Sequence, residues 1–220
     1  MIRQETNLKS LTSLQIMQDS PVIPVIVIHD LAHAVPLARA LVAGGIRMLE
    51  VTLRTPVALE AIERIANEVP EAIVGAGTVC NQVDAALATQ AGASFAVSPG
   101  YTTSLGQYCR NAGLALLPGV STAREIMRAM EDGYTELKFF PAVQSGGVAM
   151  LKALGGPFGK ISFCPTGGIT PQNAGEFLAL NNVGCVGGSW LAPNELLLRG
   201  DFVRITELAQ EAKVLNRSAL

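Results

Sequence analysis

Lys138 sits in the run Thr135, Glu136, Leu137, Lys138, Phe139, Phe140, Pro141, where a short apolar segment runs out beside two aromatic rings. A lysine amine bonds to a carbonyl carbon only after shedding its proton, and desolvation or a neighbouring cation favours the neutral form. Phe139, Phe140 and Arg54 are the candidates to supply those conditions. The competing reading is a lysine whose stem packs while its ammonium reaches solvent. Glu50, Thr52 and Arg54 alternate at period two, so an extended chain sends all three to one side. There Glu50 and Arg54 form an internal ion pair or lie in a solvated loop, or Arg54 instead holds a planar carboxylate of a ligand through paired hydrogen bonds.

Two glycine turns carry a second kind of chemistry. Thr166, Gly167 and Gly168 follow one apolar run, and Gly187, Gly188 and Ser189 follow the next. Glycine lets backbone NH groups approach an anion closely, and Ser189 adds a hydroxyl. Ordinary tight turns explain one such element; a phosphate site explains both in these places. His29 and His33 are four apart, but no HExxH pattern or carboxylate cluster accompanies them, so surface or supporting roles suit them better than metal binding.

These residues need elements to hold them. Val/Ile-rich runs at 22–28, 46–51, 72–75, 95–98, 114–117, 135–138, 161–164 and 183–186 alternate with helical segments at 31–43, 56–69, 82–91, 102–112, 122–132, 147–154, 171–179 and 204–214. Several runs are apolar on both faces, as parallel strands covered by helices are. The pattern predicts an α/β fold: a single (β/α)8 TIM barrel with an N-terminal helical extension, residues 1–220 forming one domain. An open doubly wound sheet is the rival, weakened because no GxGxxG follows the first run. In a barrel the polar residues at strand ends gather at one mouth, and Thr78 and Pro99 join the set there.

The 16 basic and 18 acidic side chains give a formal charge of -2, which offers nothing to a nucleic-acid backbone. With 49% hydrophobic and only 15% charged residues, the chain favours a large core, an oligomer interface or both. Cys80, Cys109, Cys164 and Cys185 include no CxxC pair and read as free thiols of a reducing cytoplasm. Residues 1–20 lack the apolar core of a secretory signal, and the run 22–28 is far too short to span a membrane. A cytoplasmic location is expected.

Taken in order, the segments 22–27, 46–54, 73–78, 95–100, 137–142, 163–169 and 187–190 closely resemble the 2-keto-3-deoxy-6-phosphogluconate aldolases, many of which also act on 4-hydroxy-2-oxoglutarate. The resemblance covers nearly the whole chain. It implies a (β/α)8 fold, a homotrimer, and no metal or organic cofactor. It makes Lys138 the imine-forming lysine and Glu50 the general acid/base, with Arg54 and Thr78 at the substrate carboxylate and pocket. Pro99, Phe140 and Thr166 fall around the bound keto acid, and Gly167, Gly168, Gly187, Gly188 and Ser189 in the phosphate-binding region. The segment 143–145 looks more variable and bears on substrate preference.

The implied reaction cleaves 2-dehydro-3-deoxy-6-phosphogluconate to pyruvate and glyceraldehyde 3-phosphate, with 4-hydroxy-2-oxoglutarate giving pyruvate and glyoxylate. The partners are then small phosphorylated keto acids and pyruvate, with no nucleic acid and no membrane. Alternatives are an aldolase for the galactonate epimer, a phosphate-binding barrel isomerase, and a non-enzymatic sensor of sugar-acid phosphates. An isomerase needs no covalent adduct on Lys138, and a sensor has no turnover for Lys138→Ala to abolish.

Overall fold

The computed structural model describes residues 11–215. Strands β1 (Val22–Ile26), β2 (Met48–Thr52), β3 (Ile73–Gly77), β4 (Phe95–Val97) and β5 (Ala115–Leu117) lie side by side in that order, all parallel. A second ladder joins β6 (Gly119–Val120), β7 (Glu136–Phe139) and β8 (Ser162–Pro165). Strand β9 (Val186–Gly188) pairs with β1 and, through parallel bridges Phe163 to Val183 and Thr166 to Gly187, returns the chain to β8. The remaining junction is Pro118. Having no NH, it interrupts the fifth stave and divides it into β5 and β6, while its carbonyl still accepts from Lys138 N at 2.9 Å. Nine labelled strands therefore make the eight staves that the alternation predicts, closed on themselves.

Helices cover the outside: α2 (Ala34–Ala43), α3 (Ala58–Glu68), α4 (Gln82–Gln90), α5 (Thr103–Asn111), α6 (Ala123–Glu131), α7 (Gly147–Gly155), α8 (Ala174–Leu178), α9 (Asn194–Arg199) and α10 (Phe202–Lys213) follow α1 (Ser13–Asp19). The helix expected at 31–43 starts as a 3-10 turn, Leu31–His33, with Asp30 Oδ1 accepting from Ala32 N at 2.9 Å. Pro36 then falls in the first turn of α2, where a missing NH breaks no bond. Thr55 does not cap α3 as its place before Pro56 suggests; its hydroxyl donates to the Ile28 carbonyl at 2.6 Å and ties the end of β2 to β1. The segment expected at 171–179 shortens to α8, and α9, with fewer than two turns, carried too little periodicity to be foreseen. None of these helices is long and apolar enough to cross a membrane among the described residues.

The core has two compartments. Between staves and helices lies the larger one, holding Phe139, Phe163 and Leu137 among many others. Inside the ring Ile23, Met48, Phe95, Val97, Leu117, Cys164 and Cys185 pack with Ile16 and Met17 of α1. The N-terminal helix is thus a plug. It seals the end of the barrel where the strands begin, and Ser13 Oγ donates to the Leu116 carbonyl at 2.9 Å. Both plug side chains are fully buried, which contributes about 1.5–3 kcal/mol each. Gly75 serves the same layer, because any Cβ there would overlap the Phe95 ring.

On the outside, Tyr101 OH donates to Asp132 Oδ2 at 2.6 Å, linking the start of α5 to the end of α6. That hydrogen bond, helped by Thr103, Arg128 and Arg110, holds the Asp132 carboxyl below the usual carboxylate range against the opposing effect of burial. A carboxyl depressed by folding contributes stability that is present above its unfolded pKa and lost as pH falls through its folded pKa. Asp132→Asn should accordingly lower the melting temperature near neutrality, and the gap from wild type should close as melts are taken down through about pH 4 to 2. A gap that stays constant across that range contradicts the assignment.

Candidate active site

Ladder partners in a parallel sheet face the same way, so register sorts the side chains that enter the barrel. Met48 belongs to the interior cluster, which sends Glu50 and Thr52 inward as well. Lys138 stands opposite Cys164, another interior residue, and so points inward from the far side. The two meet. Lys138 Nζ lies 3.3 Å from Glu50 Oε1, and the residues are 5% and 3% exposed. Each is the other's counter-charge where a lone ion would be costly, and one proton shift along the contact turns ammonium and carboxylate into amine and acid. The pair is the first charged layer above an apolar floor.

The neighbours of the pair sort the sequence-based readings. Phe140 does face Lys138, with its ring centroid 5.2 Å from Nζ. Phe139 does not: strand alternation turns it outward, where its ring meets Phe163 edge-on at 6.2 Å. Nor is Arg54 paired with Glu50. It is exposed, and its Nε donates to Thr52 Oγ1 at 3.1 Å, while that hydroxyl donates to the Ile26 carbonyl at 2.8 Å. Among the described residues, the terminal NH2 groups of Arg54 bond to no protein acceptor. They border a cavity of about 540 Å³ that Arg54 shares with Val25, Val27, His29 and Ser189.

Glycines shape this mouth by what they leave out. A Cβ at Gly77, the ladder partner of Thr52, would overlap the Glu50 carboxylate; one at Gly187 would overlap Thr166 Oγ1; one at Gly188 would enter the Trp190 ring. Packing around buried Thr166 and half-buried Trp190 thus requires glycine at 187 and 188. Gly167 and Gly168 are different. Their φ values of 100° and 75° are left-handed, and among the described residues neither NH donates to a protein acceptor. Consecutive NH groups freed by left-handed backbone form a concavity that suits an anion. The segment 143–145 packs on it, with Val143 N donating to the Gly167 carbonyl at 3.2 Å.

Thr78 and Pro99 lie on the same rim, past the ends of β3 and β4. Thr78 holds φ of 60°, a left-handed conformation that a β-branched residue adopts at a cost of roughly 1–3 kcal/mol. The carbonyl of Pro99 fills the space a Cβ of Gly119 would need, and Gly119 N donates to Ser98 Oγ at 3.3 Å. That contact pins the rim to β6, whose Gly119 is the ladder partner of Lys138. His33 turns away to Phe202, and among the described residues no three His, Cys, Asp or Glu side chains gather. None of the four cysteines forms a disulfide among the described residues, and of the four Cys80 alone is exposed. Sequence reasoning gave no role to Gly77 and Gly119, whose signal was a glycine where a strand run ends, beside Thr78 in one case and Pro118 in the other.

Known proteins share this architecture and length. The model of the family described as "Aldolase: KDPG and KHG aldolase" matches residues 14–208. A 2-dehydro-3-deoxy-phosphogluconate aldolase of Pseudoalteromonas atlantica is 57% identical over 201 residues, 91% of this chain and 94% of that protein. A crystal structure of the KDPG aldolase of Legionella pneumophila, with pyruvate captured at low pH as a covalent carbinolamine, superposes with a TM-score of 0.90 at 47% identity, covering 92% of this chain and 98% of that one. The 2-keto-3-deoxy-6-phosphogluconate aldolase of Zymomonas mobilis with 3-phosphoglycerate gives a TM-score of 0.89 at 48% identity over 94% and 98% of the two chains. With its plugged barrel, its buried amine and carboxylate, and a match that spans every stave, the chain belongs to the KDPG and KHG aldolase family.

Proposed function

We propose that the chain is a class I aldolase that cleaves 2-dehydro-3-deoxy-6-phosphogluconate to pyruvate and glyceraldehyde 3-phosphate, and 4-hydroxy-2-oxoglutarate to pyruvate and glyoxylate. The observation that carries this reading is the buried contact of 3.3 Å between Lys138 Nζ and Glu50 Oε1. A carbinolamine like that of the Legionella protein needs an amine next to a ketone, and Lys138 is the amine at this mouth. Its neutral form attacks C2, and loss of water leaves an iminium that accepts the electron pair released when the C3–C4 bond breaks. Glu50 takes the C4 hydroxyl proton as the aldehyde departs, then returns a proton to C3 of the enamine. Water adds to the resulting iminium, which frees pyruvate and the amine.

Binding residues hold the two ends so that the breaking bond aligns with the iminium system. Arg54, oriented by Thr52, takes the carboxylate with its free fork, and Thr78, Pro99, Phe140 and Thr166 wall the keto acid. Gly167 and Gly168 offer their NH groups to the phosphate, with Gly187, Gly188 and Ser189 completing that rim. The reading takes residues 1–220 as one domain, a cytoplasmic homotrimer without metal or organic cofactor, and prefers the gluconate to the galactonate epimer. Borohydride reduction with pyruvate should leave a pyruvate-derived mass on Lys138. Comparison of kcat/KM for both epimers and for 4-hydroxy-2-oxoglutarate then tests the substrate: equal values for the epimers defeat the gluconate preference, and an unmodified polypeptide defeats the mechanism.

Gly77 has a part in this reading although it touches no substrate. Its φ is ordinary, so Gly77→Ala strains no backbone, but the methyl group must displace the Glu50 carboxylate. A shift near 1 Å at a proton-transfer group lowers kcat on the order of 100-fold, while overpacking costs about 1–3 kcal/mol of stability. Steady-state kinetics and a thermal melt separate the two effects; a folded variant with wild-type kcat removes Gly77 from the positioning of Glu50.

A further inference from the structure

The inward row of β1 does not stop where its ladder does. Ile23 lies in the interior cluster, Val25 stands opposite Glu50, and the same alternation continues through Val27 to His29 beyond the end of the strand. All of Val25, Val27 and His29 line the 540 Å³ cavity, together with Arg54, Ser189 and Asn194. Its floor therefore adjoins the layer of the buried pair, and its rim carries donors with no acidic side chain among them. His29 is exposed, and among the described residues its ring bonds to no protein partner. The neighbouring Asp30 is occupied with the Ala32 amide.

Geometry of the substrate class points to what this donor meets. With C2 of a six-carbon keto acid bonded at Lys138, the carboxylate lies one bond away, whereas the phosphate lies at the end of a chain that must run outward to the rim. Strand β9 sits between β8 and β1, so Ser189 stands between the Gly167 and Gly168 turn on one side and His29 on the other. We propose that His29 is a substrate-binding residue that donates to the outer phosphate across from this turn, and so sets the preference for phosphorylated over shorter, unphosphorylated keto acids. The proposal rests on the aldolase reading and adds the residue by which that site recognises chain length and terminal charge.

The test compares wild type, His29→Ala and His29→Lys on 2-dehydro-3-deoxy-6-phosphogluconate and 4-hydroxy-2-oxoglutarate, with inorganic phosphate as inhibitor. In His29→Ala the ratio of kcat/KM for the phosphorylated to the unphosphorylated substrate should fall about tenfold, the effect of losing one hydrogen bond to a charged group, with the change carried by KM. Inhibition by inorganic phosphate should weaken in parallel, and His29→Lys should restore both. An unchanged ratio, an equal loss on both substrates, or a loss confined to kcat overturns the assignment. Borohydride trapping of pyruvate on the wild-type protein keeps the two readings apart: wild type that traps nothing overturns the aldolase reading itself, whereas wild type that traps, with an unchanged ratio in His29→Ala, overturns His29 alone.

Discussion

Lys138→Met should abolish both cleavage and the borohydride-dependent attachment of pyruvate, with kcat falling on the order of 10⁵-fold, the scale on which enzymes lose a covalent nucleophile. Methionine keeps an unbranched apolar stem of similar length, so the strand can keep its place. It cannot supply an electron sink. The substitution also leaves Glu50, 3% exposed, without its cation, and an uncompensated buried charge destabilises by about 3–5 kcal/mol. Lys138→Met paired with Glu50→Gln removes both charges, so the double variant should melt above the single one while remaining equally dead. Pyruvate release and the mass of the reduced protein check the chemistry, and melting curves check the fold. A folded variant that still takes up the pyruvate label shows that another amine forms the imine.

Local periodicity carried most of the fold. Eight runs, several of them apolar on both faces and all separated by helices, leave few ways to cover a parallel sheet, and closure follows from their number and even spacing. The division of the fifth stave at Pro118 and the six-residue helix α9 were not legible, because one depends on a missing amide between two short strands and the other on fewer than two turns. The site was legible one strand at a time. Period two placed Glu50, Thr52 and Arg54 on one side, yet it could not say that Glu50 reaches across the barrel to a partner 88 residues away rather than to Arg54. Adjacency misled for the same reason: Phe139 is next to Lys138 in the chain and on the opposite face of the strand. Glycines were the hardest to read. A sequence shows that a side chain is absent but not what occupies its place, which is Glu50 at Gly77, Thr166 at Gly187 and Val143 at Gly168.

Glu50→Gln should separate the two halves of the reaction. Glutamine matches glutamate in shape, so it can keep the contact with Lys138 and the space beside Gly77, but it neither takes nor returns a proton. Positioned general acid/base groups contribute about 10²–10⁴-fold, and kcat for cleavage should fall within that range. Pyruvate is the product end of the reaction and presents no C4 hydroxyl to deprotonate. Imine formation with it asks less of residue 50, so the variant should still be labelled by borohydride, more slowly than wild type. That outcome differs in kind from Lys138→Met, where label and turnover vanish together. Exchange of the pyruvate methyl hydrogens with solvent deuterium gives the sharper measurement, since it requires proton transfer at the carbon that corresponds to C3 and no bond cleavage. If Glu50 serves that carbon, exchange and cleavage fall together in Glu50→Gln. If cleavage falls while exchange keeps its wild-type rate, a different group protonates the enamine, and Glu50 acts on the C4 hydroxyl alone.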